Sequence, residues 1–158
     1  MRGKSPRKRS VAGDELFGST EVTKLINRVM KDGKKATAQQ QVYGAFSIIK
    51  SEMKAEPLDV FKVAIGNITP QIEVRSRRVG GAAYQVPMPV KPRRSFSLAV
   101  RWLVEEARKR SNKEYKTFSQ KLAAELMDAY NNDGGAIQKK ITSKKMADAN
   151  KAFAHFRW

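Results

Sequence analysis

Hydrophobic residues recur at three- and four-residue intervals over most of the chain, which is the spacing of one buried face of an α-helix. The first such run comprises Val22, Leu25, Ile26, Val29 and Met30. The second comprises Ala38, Val42, Ala45, Phe46, Ile49 and Met53, and the third comprises Phe61, Ala64, Ile65 and Ile68. Ser19 or Thr20 can cap the first helix and Gly33 can end it, whereas Glu56-Pro57 separates the second from the third. The pattern therefore predicts three helices before Pro70.

From Ile72 the period changes to two, the alternation typical of a β-strand. Tyr84, Val86, Met88 and Val90 resume this alternation after Gly80-Gly81. Adjacent glycines readily adopt the positive φ angles of tight hairpin turns. Pro87 and Pro89 lack N–H donors on the same edge of the strand, so we expect that edge to face solvent while the other edge pairs. The pattern predicts a two-stranded β-hairpin at about 72–91.

The next helix is predicted to begin near Arg93 and to carry a core side and a basic side. Its apolar residues fall in one arc when each residue is placed at 100° around the axis; they are Phe96, Ala99, Val100, Leu103 and Ala107. Arg101 and Arg108 fall within about 40° of Arg94 on the opposite side. Together with Arg93 they are typical of a track for phosphates, although exposed helical arginines can equally serve only to solvate a surface.

Two further helices are predicted after residue 113. Phe118, Leu122, Leu126 and Ala129 mark the inward side of the fifth, and Thr117 and Gln120 have the spacing of a capping box. A turn at 131–135, NNDGG, precedes a sixth helical segment that carries Ile137, Ile141 and Met146. The chain thus has the pattern of six helices with the hairpin between the third and the fourth.

A basic C-terminal tail at about 138–158 combines lysines with aromatic rings. Its cations include Lys139, Lys140, Lys144 and Lys145, and its rings are those of Phe153, Phe156 and Trp158. Rings beside cations can stack on unpaired bases, or they can pack on the helices and complete the core. We favour packing for Phe153, and both interpretations stay open for Trp158.

The composition is that of one compact domain with a strongly basic surface. The chain has 158 residues and 41% hydrophobic content, enough for a single core. We therefore predict a mainly α, six-helix bundle-like domain over residues 13–158, with a protruding hairpin arm. Residues 1–12 are predicted to form a flexible basic arm containing Arg2, Lys4, Arg7, Lys8 and Arg9. No hydrophobic segment follows these residues, so they do not resemble a secretory signal.

The charge indicates a polyanionic partner. There are 32 Lys and Arg residues against 15 Asp and Glu, giving a formal charge of +17. Such an excess is self-repelling unless a polyanion neutralises it. No run of about 18 apolar residues is present, so we predict no membrane association through a spanning helix. The absence of cysteine excludes disulfides and thiolate metal sites, and we predict neither a metal nor a cofactor.

The hairpin and its base carry the clearest binding signal. Six cations lie between Gln71 and Arg94, against Glu73 as the single acid; they are Arg75, Arg77, Arg78, Lys91, Arg93 and Arg94. The planar fork of arginine contacts two phosphate oxygens or stacks on a base. Because double-stranded RNA hides its base edges in a deep narrow groove, phosphate contacts and shape are the expected basis of recognition.

Two other classes of protein fit parts of this pattern. A basic nuclease would need acid–base groups such as Asp32, Asp128, Asp133 or His155, but these residues are scattered and form no recognisable motif. A DNA-architectural protein also uses a basic β-ribbon arm, usually with an apolar wedge at its tip. Here the tip is glycine, flanked by Val79 and Ala82. The DNA-architectural interpretation remains the main alternative to RNA binding.

Several segments, in order along the chain, carry a more specific resemblance. They are KLIN at 24–27, DGKK at 32–35, Pro70, EVRSRRVGGA at 73–82, YQVP at 84–87, RR at 93–94, RWL at 101–103, AR at 107–108, MA at 146–147 and ANKAFAHFRW at 149–158. With these segments the chain resembles the bacterial type of the small-subunit ribosomal protein seven family, from about Asp14 to its last residue. That family has six main helices with a β-hairpin arm between the third and fourth.

The resemblance implies a non-catalytic role in the small ribosomal subunit. It implies binding to the 3′ major (head) domain of small-subunit rRNA, a part in starting head assembly, and a position beside the exit-site tRNA and the mRNA path. Small-subunit ribosomal proteins eleven and nine are the implied protein partners. The implied location is the cytoplasmic small subunit, and the sequence does not separate a bacterial protein from an organelle-encoded one.

Residue roles follow from the resemblance and from charge. The resemblance implies that residues near the hairpin tip lie close to tRNA and mRNA; they are Arg77, Arg78, Gly80, Gly81 and Tyr84. It implies rRNA contacts for Lys34, Lys35, Arg75, Arg93, Arg94, Arg101 and Arg108. By charge we also expect rRNA contacts from the N-terminal arm and the tail, through Arg2, Lys4, Arg7, Lys8, Arg9, Lys144 and Lys145.

Overall fold

The computed structural model describes residues 10–156, which form six α-helices and one hairpin. The helices are α1 (Thr20–Val29), α2 (Lys35–Met53), α3 (Pro57–Ile68), α4 (Pro92–Lys109), α5 (Phe118–Tyr130) and α6 (Gly135–Ala149). The strands are β1 (Ile72–Val79) and β2 (Ala82–Pro89), and a 3₁₀ helix (Lys151–Phe156) follows α6. The predicted mainly helical fold, with its hairpin between the third and fourth helices, is confirmed.

Helix α5 lies at the centre of the bundle, in contact with α2, α3 and α4. Its Leu122 and Leu126 are fully buried together with Phe46, Phe61 and Leu103. Burying a side chain of this kind stabilises a fold by about 1.5–3 kcal/mol. The residues predicted from periodicity therefore form most of the core. Some of those predicted on helical faces are only partly buried or exposed; they are Met30, Met53, Phe96, Phe118, Ile141 and Met146.

Local signals in the sequence set several of the helix boundaries. The Ser19 hydroxyl accepts a hydrogen bond from the Glu21 N–H at 3.3 Å, which caps α1. Thr117 and Gln120 form the predicted capping box at the start of α5. Proline occupies the first turn of α3 and of α4, where its missing N–H has no helical partner to lose.

The hairpin is antiparallel, with Val79 opposite Ala82 across a two-residue turn. Gly80 and Gly81 adopt φ angles of 58° and 91°, as the predicted tight turn requires. The hairpin base packs against α6, and β2 also packs against the 3₁₀ helix. The prediction that the proline edge faces solvent is wrong at Pro87, which is buried, and holds at Pro89, which is exposed. The base is enclosed because these C-terminal elements cover it, which periodicity within the hairpin does not reveal.

A buried polar network joins α4, α5 and α6. Glu125 is only 1% exposed, and its carboxylate accepts hydrogen bonds from Arg110 Nε at 2.8 Å and from the Ala136 N–H at 2.9 Å. Arg110 also pairs with Asp128. Burial opposes the charge of Arg110, but its two carboxylate partners raise the pKa of the guanidinium above its ordinary value. The network therefore fixes the N-terminus of α6, and with it the direction of the lysines on that helix.

Candidate nucleic-acid interface

A ridge of arginines runs along the outer side of α4. Arg94, Arg101 and Arg108 are seven residues apart and all exposed, while Ala99 and Leu103 on the opposite side are fully buried. Arg108 Nη2 donates to the Val29 carbonyl at 3.1 Å, which holds its guanidinium at the end of α1. We refer to these three residues as the α4 ridge. Its spacing would allow successive contacts along one RNA backbone.

Glu73 links the hairpin to the α4 ridge. It is 7% exposed, and its carboxylate accepts hydrogen bonds from Arg75 Nε at 2.5 Å and from Arg94 Nε at 2.6 Å. Both arginine side chains remain about half exposed, so each can still reach a phosphate from its outer side. Glu73, the single acid of the segment, thus neutralises part of the positive charge that is predicted to bind RNA. It also fixes the positions of the two arginine side chains.

The outer part of the hairpin carries basic residues around a bare backbone tip. Arg78 is exposed and has no acidic partner among residues 10–156. Arg77 stands opposite Tyr84 in the ladder. A Cβ atom added at Gly80 or Gly81 would meet nothing within 4 Å, so the tip is open on the protein side. A sugar–phosphate strand can approach such a backbone closely.

Tyr84 is engaged within the chain. Its ring lies 5.2 Å from the ring of Phe153 and 5.2 Å from that of Phe156, in tilted arrangements. Aromatic pairs at this separation attract one another by about 0.5–1.5 kcal/mol beyond area burial. The packing interpretation favoured for Phe153 thus agrees with the structure, and the hairpin and tail support each other. Trp158, for which both interpretations were open, lies outside the described residues.

Lys34 is the last residue of the loop between α1 and α2, and Lys35 is the first residue of α2. Both are exposed, and neither forms an ion pair within residues 10–156. Asp32 and Gly33 adopt positive φ angles of 53° and 75°, which turn the chain sharply between the two helices. The turn brings Lys34 to the same surface cleft as Arg108.

The lysines of α6 divide into two groups. Lys144 and Lys145 are exposed, as an RNA-binding role requires. Lys139 Nζ instead lies 2.7 Å from Glu105 and 3.0 Å from Glu106, and Lys140 Nζ donates to the Asn67 carbonyl at 2.5 Å. Although burial lowers it, these two carboxylates raise the pKa of Lys139. Residues 138–149 of the predicted tail therefore belong to a packed helix, of which only part is open to RNA.

Some binding candidates could not be found from the sequence. Lys24 lies with its Nζ 5.0 Å from the centre of the Phe96 ring, and both residues line a cleft of about 640 Å³ with Arg28 and Arg93. On α1 alone, Lys24 has the pattern of an ordinary solvated charge. Only the packing of α1 on α4 brings it to the basic surface, and no periodicity signals that contact.

The remaining predicted residues and sites complete the picture. Arg93 is exposed at the start of α4. The N-terminal cations lie outside the described residues; they are Arg2, Lys4, Arg7, Lys8 and Arg9. Within residues 10–156 no group of three or more metal-ligating side chains is placed to hold a metal ion. In the same part of the chain, no helix combines the length and apolarity needed to cross a bilayer.

Known proteins with related sequences identify the family. The sequence profile of the family described as ribosomal protein S7p/S5e matches residues 1–151. The chain belongs to this family. It is 55% identical to small ribosomal subunit protein uS7 of Moorella thermoacetica over 99% of this chain and 98% of the relative. The uS7 proteins of Caldicellulosiruptor bescii and Thermotoga maritima are 54% and 53% identical, each over 100% of both chains.

Membership assigns the broad role of the chain. Members of this family are structural components of the small ribosomal subunit rather than enzymes, so the predicted absence of catalysis is confirmed. The assignment also implies rRNA and ribosomal proteins as partners. It gives no support to the alternative of a DNA-architectural protein.

Proposed function

We propose that this chain binds the 3′ major domain of small-subunit rRNA, helps to start assembly of the head, and borders the exit-site tRNA and the mRNA path. The α4 ridge together with the hairpin is the observation that carries this proposal. The carboxylate of Glu73 holds Arg75 of the hairpin beside Arg94 of the α4 ridge, so the two basic elements meet at this point. The proposed location is the small subunit in the cytoplasm or, for an organelle-encoded copy, in that organelle.

The proposed rRNA surface comprises the ridge, the hairpin base, the start of α2 and the exposed part of α6. Its residues are Lys34, Lys35, Arg75, Arg93, Arg94, Arg101, Arg108, Lys144 and Lys145, with Arg2, Lys4, Arg7, Lys8 and Arg9 of the N-terminal arm. Within residues 10–156, Glu73 pairs with Arg75 and Arg94, and Arg78 is exposed and forms no ion pair. The charge of Arg78 and the exposed sides of Arg75 and Arg94 are therefore available to phosphates.

The hairpin tip is the part that we assign to tRNA and mRNA. Arg77, Arg78, Gly80, Gly81 and Tyr84 form this end of the molecule. Gly80 and Gly81 are open on the protein side, whereas Tyr84 packs against Phe153 and Phe156. The glycine turn is therefore the part of this end that a nucleic-acid strand can approach most closely. We propose small-subunit proteins eleven and nine as neighbours on the strength of the family resemblance.

Salt-dependent binding to a transcript of the head domain tests the rRNA proposal. Neutralising about 6–10 phosphates should cost roughly three to five decades of affinity between 50 and 200 mM salt, by analogy with duplex DNA. Replacing Arg75, Arg77, Arg93 and Arg94 by Gln should weaken binding and flatten the salt dependence. Lys62→Gln on α3 is the control, because Lys62 is exposed and, within residues 10–156, pairs only with Asp59.

Two results would refute the rRNA proposal. One is unchanged affinity of the fourfold variant for head-domain RNA at matched salt, with the variant folded. The other is a duplex DNA competitor that displaces the RNA at equal concentration, which would favour the DNA-architectural alternative. Crosslinking from Arg78, Lys35 and Lys145 in assembled subunits then tests the hairpin, the α2 start and α6 separately.

A further inference from the structure

A cleft of about 450 Å³ opens between the α1–α2 loop, α4 and the start of α5. Its volume lies within the range of about 300–1,000 Å³ that is typical of small-ligand sites. The floor is apolar, formed by Val29, Ala38 and the partly exposed ring of Phe118. Lys31, Lys34 and Arg108 form a cationic rim. An apolar floor with an aromatic ring under a cationic rim is unusual for a purely solvated surface.

We propose that this cleft receives one unpaired nucleotide of the bound RNA, with its base against Phe118 and its phosphate at the rim. The inference rests on the proposed function and adds a binding mode to it. Phosphate contacts alone recognise backbone and shape, whereas a base turned out of a helix gives the protein a position along the RNA. Stacking on an aromatic ring is the usual way to hold such a base.

The charges favour a nucleotide over an apolar side chain of a neighbouring protein. The rim has three cations and one acid, Asp32. An aliphatic side chain would fill the floor but leave those cations without partners, whereas a nucleotide supplies a flat ring and an anion on the same unit. Arg108 is suited to the anion because its Nη2 is fixed on the Val29 carbonyl at 3.1 Å while its other N–H groups remain donors.

Polar groups in the cleft also suit a base edge. Gln41 lines the wall, and its Oε1 accepts from the Ser119 N–H at 3.0 Å and from the Ser119 hydroxyl at 2.8 Å. Since its oxygen is engaged, the side chain offers its amide N–H groups as donors. Asp32 supplies acceptors. Donors and acceptors beside an aromatic floor can bind the exposed edge of an unstacked base.

The test separates stacking from charge in binding to a head-domain transcript across a salt series. Phe118→Leu should weaken binding at least about fivefold with an unchanged salt slope, the lower end of what base–aromatic stacking contributes. Phe118→Tyr should restore most of the affinity. Lys34→Gln should instead reduce the slope by roughly 0.7–0.9, as expected for one lost phosphate contact. Phe17→Leu is the matched control, because Phe17 also packs partly exposed on the core but does not line this cleft.

A second measurement uses the unmodified protein. Ultraviolet irradiation of the complex, nuclease digestion and mass spectrometry should find a nucleotide remnant on the peptide that contains Phe118, with remnants on hairpin peptides as the internal control. The cleft proposal fails if Phe118→Leu binds like the parent, or if that peptide carries no remnant while hairpin peptides do. If RNA binding by the unmodified protein depended only weakly on salt, that result would instead refute the proposed function itself.

Discussion

Replacing Glu73 by Gln is expected to weaken the fold and, at the same time, to strengthen attraction to RNA. The Glu73 carboxylate is nearly buried and accepts hydrogen bonds from both Arg75 and Arg94. Gln keeps the size of the side chain but removes its charge. The two effects have opposite signs because one carboxylate both stabilises the hairpin base and cancels positive charge that faces the proposed RNA surface.

The structure sets the size of both effects. Hydrogen bonds to charged groups contribute about 1.5–3 kcal/mol, whereas exposed ion pairs contribute about 0.2–1 kcal/mol. The side chains of Arg75 and Arg94 are 49% and 50% exposed, so each pair should contribute near the border of these ranges. We expect the free energy of unfolding to fall by roughly 1–3 kcal/mol. If one further phosphate is neutralised, the salt slope should steepen by up to about 0.7–0.9.

Urea denaturation and RNA binding across a salt series measure the two effects separately. Asp59→Asn is the matched control: it makes the same change in charge at an exposed carboxylate, 3.8 Å from Lys62. It should change the free energy of unfolding by less than about 1 kcal/mol and leave the salt slope unchanged. A folded Glu73→Gln variant with lower RNA affinity and a flatter slope would refute the reasoning, because the carboxylate would then serve binding rather than oppose it.

Three further predictions concern the fold. Gly81→Ala should lower the free energy of unfolding by about 1–2 kcal/mol in urea denaturation, because its φ is 91° while no atom lies within 4 Å of the added Cβ. An unchanged free energy of unfolding would show that the alanine is not strained there. Burial and a hydrogen bond to Asp14 raise the pKa of Tyr43 from 10.0 to about 12. The stability that the protonated Tyr43 hydroxyl contributes to the fold is therefore fully present below pH 10 and is lost as pH rises towards 12. Tyr43→Phe should reduce that alkaline loss of stability, and an unchanged pH profile would contradict it. Glu125→Gln should lower the free energy of unfolding by about 3 kcal/mol or more, and hydrogen exchange should rise first in α6, beginning at Ala136.

Periodicity predicted the helices and the hairpin because both depend on local rules. The three-four spacing of Leu122 and Leu126 is imposed by burial of one helical face, and Gly80-Gly81 is imposed by the φ angles of the turn. Neither feature requires knowledge of what lies on the other side of the core. Such signals can be read without any tertiary contact.

The enclosure of the hairpin base could not be predicted in this way. Pro87 is buried because α6 and the 3₁₀ helix, about 60 residues later in the chain, pack against the hairpin. The same long-range contact places Tyr84 against Phe153. Sequence periodicity reports which face of an element is apolar, but it does not report which other element covers that face.

The sequence predicted which cations belong to the candidate interface. It did not predict which of them pair with acids of the same chain and which stay exposed. Lys139 and Lys144 are indistinguishable in the sequence, since both lie in lysine pairs on one helix. Their difference comes from Glu105 and Glu106 of α4, which meet only the first of them. The deciding information lies in the crossing of α4 and α6.

The positions of the acidic residues therefore define the proposed RNA surface as much as the positions of the basic residues do. Glu105, Glu106 and Glu125 lie where α4 meets α5 and α6, and they neutralise Arg110 and Lys139 within the folded chain. Towards the hairpin, Glu73 pairs with Arg75 and Arg94, and both arginine side chains stay about half exposed. Because self-repulsion grows with every uncompensated cation, the folded chain keeps its residual charge where a polyanion can neutralise it. Glu105, Glu106 and Glu125 are thus expected to serve folding, whereas Glu73 both stabilises the hairpin base and limits the positive charge that RNA meets.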